Sequence, residues 1–202
     1  MNTYVAMLRG VNVGGRRQIK MEDLKALFVS LGHLNVATYI QSGNVIFNSP
    51  VDSPSELARG VEHRIMQNFG LSVRMVLRTR AELAAIMESN SFLLNGVAQG
   101  ELHVTFLADV PDQSLLGNLR EQTTDPDEFR IRGREVYLHC PGGYGRTKLN
   151  NAFWERRLGM TATTRNWNTV TRLFQLASPW TTPHPPDPTD QADGPLNEAG
   201  HG

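Results

Sequence analysis

The chain has 202 residues, 40% hydrophobic and 20% charged, with Lys+Arg and Asp+Glu equal at 20 each. That is enough for one or two domains with real cores, and the balance excludes a strongly basic nucleic-acid binder and a low-hydrophobicity disordered chain. A single cysteine, Cys140, excludes an intrachain disulfide, and no apolar run reaches the roughly 20 residues that cross a bilayer, so a soluble, cytoplasmic protein without a membrane partner is expected.

The zero net charge is unevenly spread. Pro179–Gly202 contains Asp187, Asp190, Asp193 and Glu198 and no Lys or Arg, which leaves a formal +4 on the rest of the chain. Such a mild positive bias favours an anionic partner.

Thr3–Leu8 is a short apolar run, read as a buried strand and too short for a signal peptide. The stretch Arg9-Gly10-Val11-Asn12-Val13-Gly14-Gly15-Arg16-Arg17-Gln18-Ile19-Lys20 follows, with three glycines, four cations and no acid. Met21, Leu24, Leu27, Phe28 and Leu31 then recur at helical spacing, and Gly32 ends the helix. Val36–Ile40 and Val45–Phe47 flank Gln41-Ser42-Gly43-Asn44, which has the residues of a hairpin turn. Ser53-Pro54-Ser55-Glu56 combines a cap, a proline at the first helical position and a glutamate three residues on. Leu57, Val61, Ile65 and Phe69 give that helix one apolar face, closed by Gly70, and Val73–Leu77 is the next strand.

Thr79-Arg80-Ala81-Glu82 is a capping box opening a helix with Leu83, Ile86 and Met87 inward, and 89–100 reads as irregular. Leu102–Leu107 is a strand, Asp112 to about Leu119 a short helix presenting Leu115, Leu116 and Leu119, and Phe129–Ile131 with Val136–Leu138 a hairpin around Gly133. After Pro141–Thr147 come a helix containing Leu149, Phe153 and Trp154, ending near Gly159, and a last helix carrying Val170, Leu173, Phe174 and Ala177 and opened by Arg165–Asn168. The tail after 178 holds six prolines and almost no aliphatics, a composition that predicts flexibility, with Trp180 able to dock its start.

The element order predicts an α+β fold of two ferredoxin-like (split βαβ) units in tandem, the second ending in helices. The expected boundaries are a first unit at 1–78, a linker helix and loop at 79–100, a second unit at 101–178 and a Pro-rich acidic tail at 179–202. The halves share no visible sequence similarity, so the pseudo-repeat rests on element order.

Three stretches carry a family resemblance: Leu8-Arg9-Gly10-Val11-Asn12-Val13-Gly14-Gly15, Thr38-Tyr39-Ile40-Gln41-Ser42-Gly43-Asn44-Val45 and Ala162-Thr163-Thr164-Arg165-Asn166-Trp167-Asn168-Thr169-Val170. Over about residues 3–177 the chain resembles the bacterial proteins grouped as domain of unknown function 1697. Gly143-Tyr144-Gly145-Arg146-Thr147-Lys148-Leu149-Asn150 also resembles a family loop, with Thr147 where serine is more frequent. The resemblance implies a two-unit α/β structure and carries no statement about activity or cofactor.

Candidate ligand-binding residues fall in four clusters. The opening loop offers Arg9, Gly10, Asn12, Gly14, Gly15 and Lys20, with Arg16 and Arg17 beside them: glycines let an anion approach backbone N–H groups near a helix start. Its length exceeds that of ordinary strand–helix connections. Its glycines do not fit G-x-G-x-x-G, and it lacks the Gly-Lys-Ser/Thr of a Walker A loop. Gln41, Ser42 and Asn44 are amide and hydroxyl readers, equally at home in a turn. Tyr144, Arg146 and Lys148 precede a helix, where they either hold an anion or stay solvated. Arg165, Asn166, Trp167 and Asn168 form a polar cluster beside a tryptophan that alone would read as a core anchor.

Leu102, Val104, Phe106, Phe129, Ile131, Val136 and Leu138 are expected to face helices, leaving His103, Thr105, Arg130, Arg132, Tyr137 and His139 on an open or interdomain face. The RNP1 pattern of RNA-binding sheets is missing. The six histidines are scattered without metal-ligand spacing, and Cys140 reads as a core residue. Together these predict an anionic small molecule, nucleotide or nucleic acid bound where the two units meet. The alternatives are an enzyme acting on a phosphorylated small molecule, with Lys148 or Tyr144 as acid or base, and a protein-interaction module.

Overall fold

A computed structural model describes residues 1–14, 18–117, 119 and 126–178. Gly15, Arg16, Arg17 and the tail with Trp180 lie outside the described residues.

The first half contains β1 (Asn2–Leu8), α1 (Met21–Ser30), β2 (Leu34–Tyr39), β3 (Asn44–Ser49), α2 (Pro54–Phe69) and β4 (Met75–Thr79). Its strands form an antiparallel sheet in the order β2-β3-β1-β4. The helix signals act as expected: Ser53 Oγ accepts from Glu56 N–H, and Gly70 closes α2 in the left-handed conformation. One face of the sheet packs on α1 and α2 through Tyr4, Phe47, Phe28, Leu24, Val61 and Ile65.

Then come α3 (Arg80–Glu88), with its capping box at Thr79 and Glu82 formed, and α4 (Ser91–Leu94). The segment 89–100 is thus not irregular throughout. Asn90 caps α4, which buries Phe92, and a 3-10 turn at Gln99–Glu101 leads into the next strand.

The second half contains β5 (Leu102–Leu107), α5 (Gln113–Leu116), β6 (Glu128–Arg132), β7 (Glu135–His139), α6 (Asn151–Leu158), β8 (Ala162–Asn166) and α7 (Trp167–Leu176). Its antiparallel sheet has the order β6-β7-β5-β8. Two expectations are corrected here. The half does not pass from helix to helix: β8 completes the sheet, and Arg165 lies on that strand rather than opening α7. The strand was hidden because Ala162-Thr163-Thr164-Arg165-Asn166 has a single aliphatic residue, although its threonines suit a strand. The short helix at 112–119 is only four residues long, and Leu115 is exposed.

The sheet faces are corrected as well. Opposite partners share a face in an antiparallel pair, and Val104 lies opposite Tyr137 whereas Thr105 lies opposite Val136. Leu102, Val104, Phe106 and Tyr137 therefore share one face. It packs against Val5, Met7, Ile46 and Val76 of the first sheet and is closed by α3 and α7. Val136, Leu138, Phe129 and Ile131 point the other way, onto Trp154 of α6. Strand β5 is buried on both faces, so its sequence does not alternate and could not reveal the register. No open aromatic face remains on this sheet: Tyr137 is core, and His139 lies 3.0 Å from Glu101.

The β2–β3 turn requires Gly43, with φ +72 and its hypothetical Cβ at 2.9 Å from Leu8 Cβ. Gly43→Ala should cost about 2–4 kcal/mol in denaturant unfolding, from left-handed strain plus overpacking. Gly14→Ala, at φ +61 with open space around it, should cost only about 1 kcal/mol.

Two histidines give the fold a pH dependence. His33 packs on the Phe28 and Phe47 rings, and His103 stacks on Tyr144; burial lowers both pKa values from the usual 6.5, opposed at His103 by the Glu101 backbone. The unfolded chain then binds protons that the folded chain refuses. The stability from this source is complete above pH 6.5 and is lost as pH falls from there through the lower folded values. Melting temperature should drop between about pH 7 and 5, and His33→Leu should flatten that slope.

Candidate functional site

Where β1 ends, four loop segments, α6 and β8 line a cleft of about 930 Å³. Its lining includes Leu8, Arg9, Gly10, Val11 and Val13 from the opening loop, Ser42 from the β2–β3 turn and Tyr144 from the loop before α6. Asn151 and Glu155 come from α6, Thr163 to Asn166 from β8, and Ser72 and Arg74 from the approach to β4. The cavity has the size of a small-molecule site.

Arg165 is the base of the cleft. Its Nε donates to Asn44 Oδ1 at 2.6 Å, Nη1 to Thr163 Oγ1 and the Thr164 carbonyl at 2.8 and 2.9 Å, and Nη2 to the Leu8 and Ser42 carbonyls at 3.0 and 3.2 Å. All five N–H groups of the guanidinium are thus satisfied, and every acceptor is neutral. Among the described residues no carboxylate pairs with it. Burial pushes its pKa down to about 10, with Tyr144 raising it and Arg9 lowering it to smaller degrees. It remains charged at neutral pH, so the floor of the cleft holds an uncompensated cation.

Asn44 is wholly buried, and its Nδ2 donates to the Tyr39 carbonyl and Ser42 Oγ. Asn12 sits at φ 57, a conformation asparagine tolerates, and its side chain closes the opening loop: Nδ2 donates to the Ile19 and Gln41 carbonyls and Oδ1 accepts from Ile19 N–H. Arg9 makes a two-pronged ion pair with Glu155 at 3.0 and 3.1 Å. Tyr144 Oη is buried and makes no well-formed hydrogen bond among the described residues; burial raises its pKa, opposed by the nearby Thr164 hydroxyl, the Asn151 backbone and Arg9.

Of the residues singled out in sequence, Arg9, Gly10, Ser42, Tyr144, Arg165 and Asn166 line the cleft. Asn12, Gln41 and Asn44 support it from behind. Gly14, Lys20, Arg146, Lys148 and Asn168 are exposed and not among its lining residues, and Gly15 lies outside the described residues. Trp167 is core, packed with Val170 and Leu173 between the sheets. Sequence reading missed Ser72, Arg74, Asn151, Glu155, Thr163 and Thr164. Glu155 had one signal: it is the sole acid of α6, beside two arginines. Cys140 is buried, its thiol pushed up to about 11 by burial and Asp127, which suits a core residue rather than a nucleophile. Among the described residues no group of three His, Cys, Asp or Glu side chains lies close enough to hold a metal ion.

A second arginine, unforeseen from sequence, mirrors the first. Arg78 of β4 donates from Nε to Glu135 at 2.7 Å, from Nη1 to the Leu77 carbonyl, and from Nη2 to the Leu107 and Arg134 carbonyls. Each arginine is the penultimate residue of the last strand of its sheet, just before a helix cap. Each reaches across to the end of the other half's first strand, Leu107 or Leu8, and to the first residue of its third, Glu135 or Asn44. Backbone bonds repeat the match: Leu8 N–H to the Gly43 carbonyl and Leu107 N–H to the Arg134 carbonyl, Arg9 N–H to the Arg74 carbonyl and Ala108 N–H to the Thr161 carbonyl. Glu62 accepts from Met75 N–H as Glu155 does from Ala162 N–H. The halves therefore embrace reciprocally, as the subunits of a twofold dimer do.

The matched positions differ in charge. Arg9, Gly10, Asn44 and Arg74 stand on the cleft side, and Ala108, Asp109, Glu135 and Thr161 are their counterparts. At each position the cleft side is the more positive.

The first 137 residues match the family described as protein of unknown function (DUF1697). The chain belongs to that family. Arg165 and the 143–150 loop lie beyond the matched stretch. A search of curated proteins gave no match. The fold is also that of a conserved bacterial protein, SP0830, from Streptococcus pneumoniae, at 21% identity and a TM-score of 0.71 over 88% of this chain and 99% of that one. Among the described residues of this family member, no helix is long and apolar enough to cross a membrane.

Proposed function

We propose that this DUF1697 protein binds an anionic small molecule, a nucleotide or another phosphate ester, in the cleft between the opening loop and β8. One observation carries the reading: Arg165 is buried without an acid at the position where its counterpart Arg78 has Glu135. A buried cation is costly unless an anion offsets it. With its own donors all engaged, Arg165 acts through its field, and Arg9, Arg74 and backbone N–H groups would make the contacts.

The lining holds three arginines against one glutamate, with Arg9 paired to Glu155, Arg74 paired to Glu62 just outside the lining and Arg165 left without an acid. Its hydroxyls at Ser42, Ser72, Thr163 and Thr164 suit phosphate or sugar oxygens, while Val11 and Val13 offer an apolar wall. A small ligand is favoured over a nucleic-acid strand because the inner faces of both sheets, where a strand would stack, are packed against one another.

On fold, we read residues 1–78 and 101–178 as two ferredoxin-like units joined by 79–100; the β-α-β-β-α-β order and the paired central strands support this. Calorimetry with phosphate, pyrophosphate, AMP and a short RNA at low salt tests the function. Phosphate esters should bind, more weakly as salt rises, and raise the melting temperature. No heat from any of them, with melting unchanged, overturns the reading.

A further inference from the structure

The Arg9–Glu155 pair sits inside the cleft, and its two members have different ties to the fold. Glu155 is anchored: Oε1 also accepts from Ala162 N–H at 3.3 Å, as its counterpart Glu62 does from Met75 N–H at 2.8 Å. Arg9 is not anchored in the same way. Its side chain has no hydrogen-bond partner other than Glu155 among the described residues, and the matching position in the other half is Ala108. The glutamate is tied to the backbone in both halves, whereas its arginine differs: Arg9 reaches Glu155 from the opposite half, and Glu62 pairs with Arg74 of its own half at 3.1 Å. An arginine fork met by two carboxylate oxygens presents the geometry with which it grips a phosphate. Both members are about one-third exposed, with side-chain values of 28% and 31%, so exchange of the acid for an incoming anion is open to solvent.

We infer that Arg9 is a displaceable clamp: Glu155 occupies its fork while the cleft is empty, and a phosphate group of the ligand takes that place on binding. This rests on the anion-site reading above. It gives Glu155 the part of an internal competitor that weakens binding and holds Arg9 ready. Arg165 supplies the remaining uncompensated charge, Arg74 being paired with Glu62 at 3.1 Å, and a bare carboxylate ligand, with less charge, competes less well with Glu155.

The test is a double-mutant cycle read by calorimetry with pyrophosphate, using acetate as the carboxylate arm. Glu155→Gln keeps an oxygen for Ala162 N–H and removes the competing charge. It should tighten pyrophosphate binding about twofold to fivefold, the upper part of the range of a partly exposed charged pair. Arg9→Ala should weaken binding. The deciding measurement is Glu155→Gln in the Arg9→Ala background. A clamp predicts that most of the gain disappears, because no fork remains to be released. An equal gain in both backgrounds means that Glu155 merely repels the ligand, and it overturns the clamp while leaving the site intact. Wild-type protein that binds neither anion overturns the site and the clamp together. Acetate bound as tightly as pyrophosphate overturns the phosphate preference. Circular dichroism melts of all four proteins check that each is folded.

Discussion

Replacing Arg165 with alanine should cost about 3–5 kcal/mol of stability, enough to lower the melting temperature by roughly 10 °C. The size follows from what is left behind. The Leu8, Ser42 and Thr164 carbonyls lose a donor at once, together with Asn44 Oδ1 and Thr163 Oγ1. Each buried acceptor left unmet costs about 1–3 kcal/mol, and water entering from the cleft relieves part of the sum. Arg165→Lys keeps the charge but offers three donors without a planar fork, so its loss should be intermediate. Arg78→Ala should be at least as damaging, since it strands the mostly buried Glu135 carboxylate as well as the Leu77, Leu107 and Arg134 carbonyls. Urea denaturation of the three variants checks the order. A loss below about 1 kcal/mol for Arg165→Ala would show that the arginine does not join the halves.

The parts of the fold that the sequence announced are those governed by local chemistry. The Ser53-Pro54 start of α2, the Thr79–Glu82 capping box and the glycine at 43 each satisfy a backbone need that neighbouring residues dictate. Strand β8 escaped because it is polar where it borders the cleft, and a polar strand has no hydrophobic period. The face of β5 escaped because both of its faces are buried, so only pairing with β7 decides which residues meet the first sheet. The clusters around Arg9, Ser42, Tyr144 and Arg165 were recognisable as polar residues among glycines and turns, and they do converge. The purpose of Asn44 was not legible, because hairpin chemistry alone explains an asparagine there. Nor was the correspondence of Arg78 with Arg165: two arginines before two caps mean little until both are seen gripping the opposite half.

Asn44→Asp should weaken pyrophosphate binding roughly thirtyfold, or about 2 kcal/mol. The substitution places a carboxylate where Asn44 Oδ1 now accepts from Arg165 at 2.6 Å, the arrangement that Arg78 already has with Glu135. A unit charge a few ångströms below the cleft, at the effective dielectric of a partly buried site, interacts with a bound anion at about that energy. The folded state should lose about 1–3 kcal/mol, the cost of one unmet buried hydrogen bond. The introduced carboxylate would gain the attraction of Arg165, while its second oxygen would meet the Tyr39 carbonyl where the amide now donates; the Ser42 hydroxyl can turn to donate instead. Asn44→Asp therefore keeps the grip of Arg165 on both halves, whereas Arg165→Ala abolishes it. The converse change, Glu135→Gln, removes the acid beside Arg78 and should destabilise the fold without creating a second anion site, because Ala108, Asp109 and Thr161 stand where the cleft has Arg9, Gly10 and Arg74. If Asn44→Asp bound pyrophosphate as tightly as the wild type, the uncompensated charge of Arg165 would have no part in recognition. The cleft would then owe its affinity to Arg9 and Arg74 alone.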